Sequence, residues 1–260
     1  SAKVAKELLE VEKTPKNYTV LASILYGIGD YENSLQNFEK AYEGEKSEEN
    51  LIRIVDILVN KLNEKSKAIS LLETHRRIYG CGALACATLA DIYRIEKKYD
   101  DVIKIDEAQY LDSNDTAHLD DIISIHYHFK NYDKIIEVLK KYPYNKELLI
   151  DAYARKGDYN TAMKTARDEF TVSGNYDFLA IEAIYEYESM EKNINKNVLD
   201  SVVEKFENIA PQLKNPVHLN YYGYILIDHD LDINKGMKFV EKALEVEPNS
   251  AYYIDSLAWG

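Results

Sequence analysis

The sequence predicts an all-α fold, a right-handed α-solenoid of about seven stacked helical hairpins. Three observations lead to this prediction. A segment of about 34 residues recurs along the chain, which is the period of a helical hairpin repeat. Proline and glycine number only 5 and 10 among 260 residues, whereas strand-rich folds need many sharp turns. Hydrophobic residues make up 46% of the chain, enough to form a continuous core when the hairpins stack.

The repeat is clearest at a tyrosine that precedes the second helix of each hairpin. This tyrosine is Tyr31, Tyr99, Tyr132 and Tyr159 in the segments GDYENS, KKYDDV, KNYDKI and GDYNTA. A small or β-branched residue follows in the same register, at Ser34, Ala68, Val102, Ile135 and Ala162. Because the two helices of a hairpin must approach closely, large side chains are disfavoured there, and aromatic side chains are expected between neighbouring hairpins.

The repeat register predicts a single solenoid over residues 1–260, with sections of different regularity. The sections are regular repeats at about 15–142, a compressed repeat at 143–172, an irregular longer hairpin at 174–214, a repeat at 215–249 and the start of another at 250–260. The unit at 47–78 carries LNEKSKAIS instead of a Gly-Asp-Tyr turn, so we expect an altered hairpin loop. The Asn-rich EKNINKN predicts an extended turn, and we expect the natural chain to continue beyond Gly260.

The repeated positions resemble those of the tetratricopeptide repeat family. The matching residues are Tyr18, Leu21, Ala22, Leu25, Gly29, Tyr31, Ser34, Phe38 and Ala41, then Leu89, Ala90, Tyr93, Tyr99 and Val102, and finally Gly223, Gly236, Ala243 and Pro248. The resemblance covers nearly the whole chain. It implies a non-enzymatic module whose first helices line a concave face that binds a protein or peptide segment.

The last part of the chain also resembles bacterial exported repeat proteins, some of which are outer-membrane lipoproteins that tether periplasmic enzymes. This resemblance rests on Leu219-Asn220-x-x-Gly223-Tyr224, Asp228, Lys242-Ala243-Leu244, Pro248 and Asp255-Ser256-Leu257-x-Trp259. It implies a periplasmic or envelope-associated protein, with any membrane tether outside this sequence. The alternative is a cytoplasmic protein.

Charge and hydropathy exclude two classes of partner. The net charge of −13 arises from 45 acidic and 32 basic residues, and such a field repels nucleic-acid phosphates. No apolar run approaches the roughly 20 residues that cross a bilayer, so no transmembrane span is expected. The beginning, SAKVAKELLE, lacks the pattern of a secretory signal, as does any exported chain after processing.

Cys81 and Cys86 allow two interpretations. Gly80 and Gly82 place Cys81 in a loop before a helix, from which it could fold back onto Cys86 and form a disulfide. Such a bond would suit an oxidising periplasm. The alternative is a pair of small thiols buried between hairpins, since free cysteine is among the most buried residue types.

No catalytic, metal or cofactor site is expected. His126 and His128 are two positions apart, whereas a helical metal pair needs a spacing of three or four. We expect His126 at a hairpin interface and His128 at the surface. Asp100-Asp101 and Asp120-Asp121 are adjacent carboxylates, typical of a solvated helix turn. The sequence has no Gly-rich phosphate loop and no GxSxG or HExxH motif.

The predicted binding surface is the concave face of the first helices. By repeat register it includes Thr19, Ser23, Tyr26, Asp91, Arg94, Asp120, Ser124, Tyr127, Asp151 and Arg155. Thr19 with Ser23 and Asp120 with Ser124 stand where some family members carry a Lys/Asn clamp for a terminal carboxylate, which disfavours recognition of chaperone tails.

Three functions agree with these features. The first is a scaffold or adaptor in a bacterial envelope complex, such as a protease, secretion, flagellar motor or outer-membrane assembly. The second is a structural subunit of a larger machine, with self-association as one form of it. The third is a regulatory domain of a longer enzyme.

Overall fold

The computed structural model describes residues 7, 10, 12–190 and 195–260, and the regular structure in these ranges is helical. The first helices of the hairpins are α1 Pro15–Gly27, α3 Glu48–Asp56, α5 Ala83–Ile95, α7 Ala117–His128, α9 Lys146–Arg155, α11 Asp177–Glu188, α13 Pro216–Asp228 and α15 Ala251–Trp259. The second helices are α2 Tyr31–Gly44, α4 Lys65–Tyr79, α6 Tyr99–Ser113, α8 Tyr132–Lys141, α10 Tyr159–Ser173, α12 Lys196–Ile209 and α14 Ile233–Val246. The predicted all-α fold of consecutive helical hairpins is confirmed. The handedness of the stack stays a prediction.

The chain forms two compact units, unit 1 at Ser1–Ile125 and unit 2 at His126–Gly260. In each unit a helix packs chiefly on its neighbours along the chain, as α1 does on α2 and α13 does on α14. The buried side chains are predominantly aliphatic in unit 1, and unit 2 adds stacked aromatic rings, with Phe206 and Tyr222 centred 4.9 Å apart. Each core is therefore continuous across several hairpins.

Polar residues begin most of the helices. Their side chains accept a hydrogen bond from a backbone N–H two or three residues later, which satisfies one of the unpaired donors of the first turn. The residues with this cap are Thr14, Asp30, Ser47, Asn145, Asp158, Asn195, Asn215 and Asp232.

The turn inside the hairpin has one recurring geometry. The residue two before the marker tyrosine has a positive φ of 82° at Gly29, 58° at Lys97, 55° at Lys130 and 89° at Gly157. The next N–H donates to the carbonyl five residues earlier, as Asp30 does to Leu25 at 2.9 Å and Lys98 does to Tyr93 at 2.9 Å. This is the left-handed helix terminus that glycine favours, and lysine adopts it in two of the repeats.

The small residues of the repeat mark close contacts between paired helices. In the first hairpin the Ser34 hydroxyl donates to the carbonyl of Ala22 at 2.8 Å, and both residues are fully buried. In the hairpin of α13 and α14 the corresponding contact joins Gly223 and Gly236, where a methyl group on Gly223 would lie 2.7 Å from the Gly236 carbonyl oxygen. Small side chains thus set the distance between the two helices.

Two irregular segments were expected from the sequence. Near LNEKSKAIS, α3 continues into a π-helical segment, Ile57–Lys61, and Asn63 has a φ of 56° before α4 begins. The extended turn expected at EKNINKN falls partly on residues 191–194, which lie outside the described residues. Among the residues that are described, no helix combines the length and apolar character needed to cross a membrane.

Candidate functional site

The predicted surface residues of α1 contact the next first helix. The Thr19 hydroxyl lies 3.0 Å from Oδ1 of Asn50, and the Tyr26 hydroxyl donates to the Asp56 carboxylate at 2.8 Å. Ser23 is exposed and bonds only within its own helix in the contacts described. Thr19 and Tyr26 therefore help to fix one hairpin against the next.

Arg94 of α5 is the centre of a charged cluster in unit 1. Its guanidinium contacts the carboxylate of Asp121 on α7, lies 3.2 Å from Asp91 and lies 3.5 Å from the buried Asp106 on α6. Burial and the nearby Asp121 raise the pKa of Asp106 to about 6. His118 completes the cluster, with Nδ1 3.7 Å from Asp106. The predicted residues Asp91 and Arg94 thus belong to an ionic cluster between hairpins, and Asp120 and Ser124 lie exposed on α7.

Asp151 of α9 accepts hydrogen bonds from side chains on three successive first helices, α7, α9 and α11. Its Oδ2 accepts the Tyr127 hydroxyl of α7 at 2.5 Å and Nε of Arg155 at 2.7 Å. Its Oδ1 accepts the Tyr185 hydroxyl of α11 at 3.1 Å. The Arg155 guanidinium also lies 5.8 Å from the centre of the Tyr127 ring. Three of the predicted residues are therefore in direct contact.

Beside Asp151 lies a groove of about 740 Å³, which we call the unit 2 groove. One side is α9, the other is α11 and α13, and the first residues of α8 and α10 complete it. Its lining residues are Tyr132, Asn145, Glu147, Leu148, Asp151, Ala154, Arg155, Tyr159, Ile181, Ile184, Tyr185, Glu188, Val217, His218 and Tyr221. The volume is in the range of pockets that hold a small molecule or several residues of a peptide.

The unit 2 groove is acidic. Three carboxylates line it, from Glu147, Asp151 and Glu188, against one guanidinium, from Arg155. Burial lowers the pKa of His218, so this imidazole is neutral at pH 7. Its Nδ1 lies 3.0 Å from Asp177. The lining therefore carries net negative charge.

Tyrosine hydroxyls in the groove are donors to carboxylates. Tyr221 donates to Glu188 at 3.0 Å, as Tyr185 does to Asp151. Burial raises the pKa of both tyrosines, and the neighbouring carboxylates raise it further. These phenols stay protonated at physiological pH, so their rings stand in fixed orientations with apolar faces and bound hydroxyls.

Unit 1 has a smaller groove on its first helices, of about 270 Å³. It is lined by Ile52, Val55, Asp56, Val59, Asn60, Thr88, Asp91, Ile92 and Ile95. Its lining is mainly aliphatic, with two carboxylates at Asp56 and Asp91. The predicted Asp91 lies here, whereas the predicted Asp151 and Arg155 lie in the unit 2 groove.

Cys81 and Cys86 lie on either side of the beginning of α5. Cys81 lies between α4 and α5, and its sulfur is bonded to that of Cys86 in the first turn of α5, with Cα atoms 5.5 Å apart. The Glu48 carboxylate accepts the N–H groups of Leu84 and Ala85, at 3.1 and 3.3 Å, and so caps the same helix from α3. The start of α5 is thus held by both a covalent bond and a cap.

The histidines are dispersed among aromatic and acidic partners. His75 contacts the Tyr42 hydroxyl through Nδ1 at 2.7 Å, and His229 contacts the Tyr187 hydroxyl through Nε2 at 2.8 Å. His126 is partly buried and His128 is exposed. Within the described ranges no three His, Cys, Asp or Glu side chains are grouped so that they could hold a metal ion.

Glu147, Tyr185, Glu188 and Tyr221 line the unit 2 groove but are not among the residues predicted from the sequence. A signal for two of them exists in the repeat period. Tyr185 follows its acceptor Asp151 by 34 positions, and Tyr221 follows its acceptor Glu188 by 33. A tyrosine one repeat after a carboxylate therefore marks a bond between neighbouring first helices.

Comparison with known proteins gives a family match over the first hairpin. The family model for the tetratricopeptide repeat matches residues 15–43, which span α1 and α2. The comparison with curated proteins finds no match.

Three similar solved structures are tetratricopeptide-repeat proteins. One from Parabacteroides merdae is 10% identical with a TM-score of 0.48, and the match covers 95% of this chain and 98% of that one. YrrB, described as having an unusual peptide-binding site, is 12% identical with a TM-score of 0.33 and 98% coverage of both chains. The TPR2AB domain of yeast Sti1, solved with an HSP90 peptide, is 14% identical with a TM-score of 0.37, covering 94% of this chain and 97% of that one.

Proposed function

Since residues 15–43 are a tetratricopeptide repeat and the same hairpin recurs along the chain, we propose that this protein is a non-enzymatic scaffold that binds an extended segment of a partner protein. The observation that supports this proposal is the unit 2 groove, which is lined by three consecutive first helices. A groove held by packed helices is already ordered before binding, so the partner bears most of the entropy cost.

The composition of the groove suits a polypeptide. Tyr185 and Tyr221 offer large rigid rings, and such rings give contact area at a low cost in side-chain entropy. Ile181 and Val217 add apolar surface, while Asn145 and Glu147 supply polar groups at one end. Mixed aromatic, aliphatic and polar surfaces of this kind are typical of sites that dominate binding energy in protein interfaces.

A peptide-display selection tests this proposal. The full chain is used to select binders from a random dodecapeptide library, and the selected peptides are then measured by fluorescence anisotropy. Val217 is 52% exposed at the groove, so Val217→Trp should block it and weaken binding at least tenfold.

Val172→Trp is the matched control. Val172 is 83% exposed on α10 and lies outside the groove lining, so this variant should bind like the parent protein. Failure to select any peptide, or equal effects of the two tryptophans, would contradict binding in the unit 2 groove.

We propose further that the scaffold works in a bacterial envelope complex. The bond between Cys81 and Cys86 supports this location, since disulfides persist in oxidising compartments and are rare in the cytosol. The test is to produce the protein in its own host, quench the cells with acid, and label the denatured protein with a thiol-reactive polyethylene glycol with and without prior reduction. An unshifted band under denaturing conditions, which shifts only after reduction, is expected. A shift without reduction would contradict the envelope proposal.

A structural role in an assembly is the second candidate. It is supported by large apolar side chains that are exposed within the chain rather than at its end, with Ile95 74% exposed and Leu111 64% exposed. Exposed apolar surface is typical of contacts between proteins. Light scattering over a hundredfold range of concentration tests this role by measuring the molar mass in solution. An obligate assembly keeps a mass above that of one chain on dilution, whereas a monomeric scaffold has the mass of one chain throughout.

A further inference from the structure

Only one of the three carboxylates of the unit 2 groove is neutralised by a basic side chain among the described residues. Asp151 is paired with Arg155, but Glu147 and Glu188 form no ion pair with any residue that the structure describes. Glu188 receives only the neutral hydroxyl of Tyr221 among the described contacts. Two negative charges therefore remain available to a ligand on the walls of one groove.

The chain itself shows what kind of cation this surface accommodates. The Arg155 guanidinium is held by the Asp151 carboxylate at 2.7 Å while it lies 5.8 Å from the centre of the Tyr127 ring. A carboxylate beside a tyrosine ring thus already binds a guanidinium at one end of the groove. Glu188 and Tyr221 provide the same two groups, hydrogen-bonded to each other, on α11 and α13.

The tyrosine rings of the groove increase its preference for a cation. Tyr159 and Tyr185 both line the groove, with ring centres 6.3 Å apart and ring planes inclined at 50°. The face of an aromatic ring attracts a cation, and arginine makes this contact more often than lysine. The guanidinium is also planar and weakly hydrated, which favours stacking on a ring together with a bidentate bond to a carboxylate.

Apolar side chains flank these polar groups. Leu148, Ile181 and Ile184 line the same groove, and Ile184 is only 8% exposed. They suit the methylene stem of a long basic side chain, which packs along apolar surface while its charged end meets polar groups. The lining of the groove therefore combines apolar side chains with carboxylates.

From these observations we infer that the unit 2 groove binds an extended partner segment through an arginine side chain, whose guanidinium is received by Glu188 and the neighbouring tyrosine rings, while Glu147 adds to the negative potential of the groove. This inference rests on the proposed function, and it specifies the chemistry of the partner. The net charge of −13 adds a long-range attraction for basic segments.

The test uses oriented libraries of random nonapeptides whose central residue is fixed as arginine, lysine, citrulline or glutamate. Citrulline is the matched ligand control, because it has the shape of arginine without its charge. The full chain is immobilised, and the retained fraction of each library is measured in 50 mM and 500 mM salt. We expect the arginine library to be retained about tenfold more than the citrulline library at low salt, with a smaller ratio at high salt.

Protein variants separate the groove from general charge. Glu147→Gln with Glu188→Gln should abolish the preference of arginine over citrulline. Glu204→Gln with Glu245→Gln removes the same amount of charge from exposed positions on α12 and α14. This control variant should retain the preference for the arginine library over the citrulline library. Circular dichroism of each variant verifies that the helical fold is intact.

The outcomes distinguish the two proposals. Equal retention of the arginine and citrulline libraries, a preference for the lysine or glutamate library, or an unchanged preference in the groove variant would overturn the arginine inference. If peptides still bind and Val217→Trp still blocks them, the proposed scaffold function survives that result. If no library is retained at all, the scaffold function itself is contradicted, and the arginine inference is overturned with it.

Discussion

Gly223 and Gly236 pack backbone against backbone where α13 meets α14. A methyl group on either glycine would lie 2.7 Å from the carbonyl oxygen of the other. Backbone atoms of two packed helices cannot move aside as a flexible side chain can. The distance between these helices therefore depends on the absence of side chains at both positions.

We expect Gly223→Ala to lower the free energy of unfolding by about 2 kcal/mol, because the added methyl group overpacks the hairpin. Gly236→Ala should have a similar effect. The double variant should lose less than the sum of the two, because the first methyl group already separates the helices. Urea denaturation followed by circular dichroism measures all three, and unchanged midpoints would show that the contact is not tight.

The turn between α1 and α2 provides a comparison of two glycines. Both Gly27 and Gly29 have open space around the position of a Cβ atom, but only Gly29 has a positive φ, of 82°. Gly29→Ala should therefore lower the free energy of unfolding by about 1 kcal/mol through backbone strain. Gly27→Ala, at the end of a helix, should raise it by about 0.5 kcal/mol. Thermal denaturation should show a lower melting temperature for Gly29→Ala and a higher one for Gly27→Ala. Shifts of the same sign would contradict the proposed effect of the positive φ at Gly29.

The buried carboxyl of Asp106 should make unit 1 more stable in mild acid. Its pKa is about 6 in the folded protein and 3.8 when unperturbed, so between these values the folded state binds a proton that the unfolded state lacks. The free energy of unfolding should then fall by about 2 kcal/mol as the pH rises from 4 to 7.

Asp106→Asn should reduce this pH dependence, while Asp112→Asn, at an exposed position on the same helix, should leave it unchanged. Urea titrations at several pH values measure how steeply the free energy of unfolding changes with pH. His118, Arg94 and Asp121 also face Asp106, so the comparison between variants, rather than the slope of the parent protein, decides the result.

The carboxylate of Asp151 should be more important for stability than any one of its donors. Asp151→Ala leaves the hydroxyls of Tyr127 and Tyr185 without their acceptor, and we expect a loss of about 2 to 3 kcal/mol. Tyr127→Phe or Tyr185→Phe removes one hydrogen bond and should cost about 1 kcal/mol each. Chemical denaturation measures the loss of free energy of unfolding in each variant. If Asp151→Ala loses no more than one of the tyrosine variants, the two tyrosines do not depend on a shared acceptor.

The bond between Cys81 and Cys86 closes a short loop, so its contribution should be modest. Loop entropy for this spacing corresponds to about 2 kcal/mol. Dithiothreitol should therefore lower the urea midpoint of the parent protein. The double variant Cys81→Ser and Cys86→Ser should show the lower midpoint with or without reductant. A parent protein indifferent to reductant would show that the bond does not form in solution.

Much of the fold is predictable from the sequence because the relevant interactions are local. The marker tyrosines and the Gly29 turn lie within a few residues of one another, and their spacing recurs in each hairpin. The close contact of Gly223 with Gly236 is also predictable, since both occupy the small positions of the repeat.

The candidate site is less predictable because it depends on how neighbouring hairpins pack. Register places Tyr127, Asp151 and Arg155 on one face, but it does not show that they bond to each other. The altered loop at LNEKSKAIS is predictable, but the π-helical form of Ile57–Lys61 before it is not, since Leu58 and Val59 suit an ordinary helix equally well. Which charges remain uncompensated, as at Glu147, follows only from the packed side chains.

Asp151 also limits how this architecture can be rearranged. Repeat proteins can change length by duplication or deletion of whole modules, provided that each module contacts only its immediate neighbours. The carboxylate of Asp151 accepts hydrogen bonds from the preceding module through Tyr127 and from the following one through Tyr185. Removal of the module that carries it would leave two phenols without their acceptor, so deletion of this module should cost more stability than deletion of one without a shared acceptor.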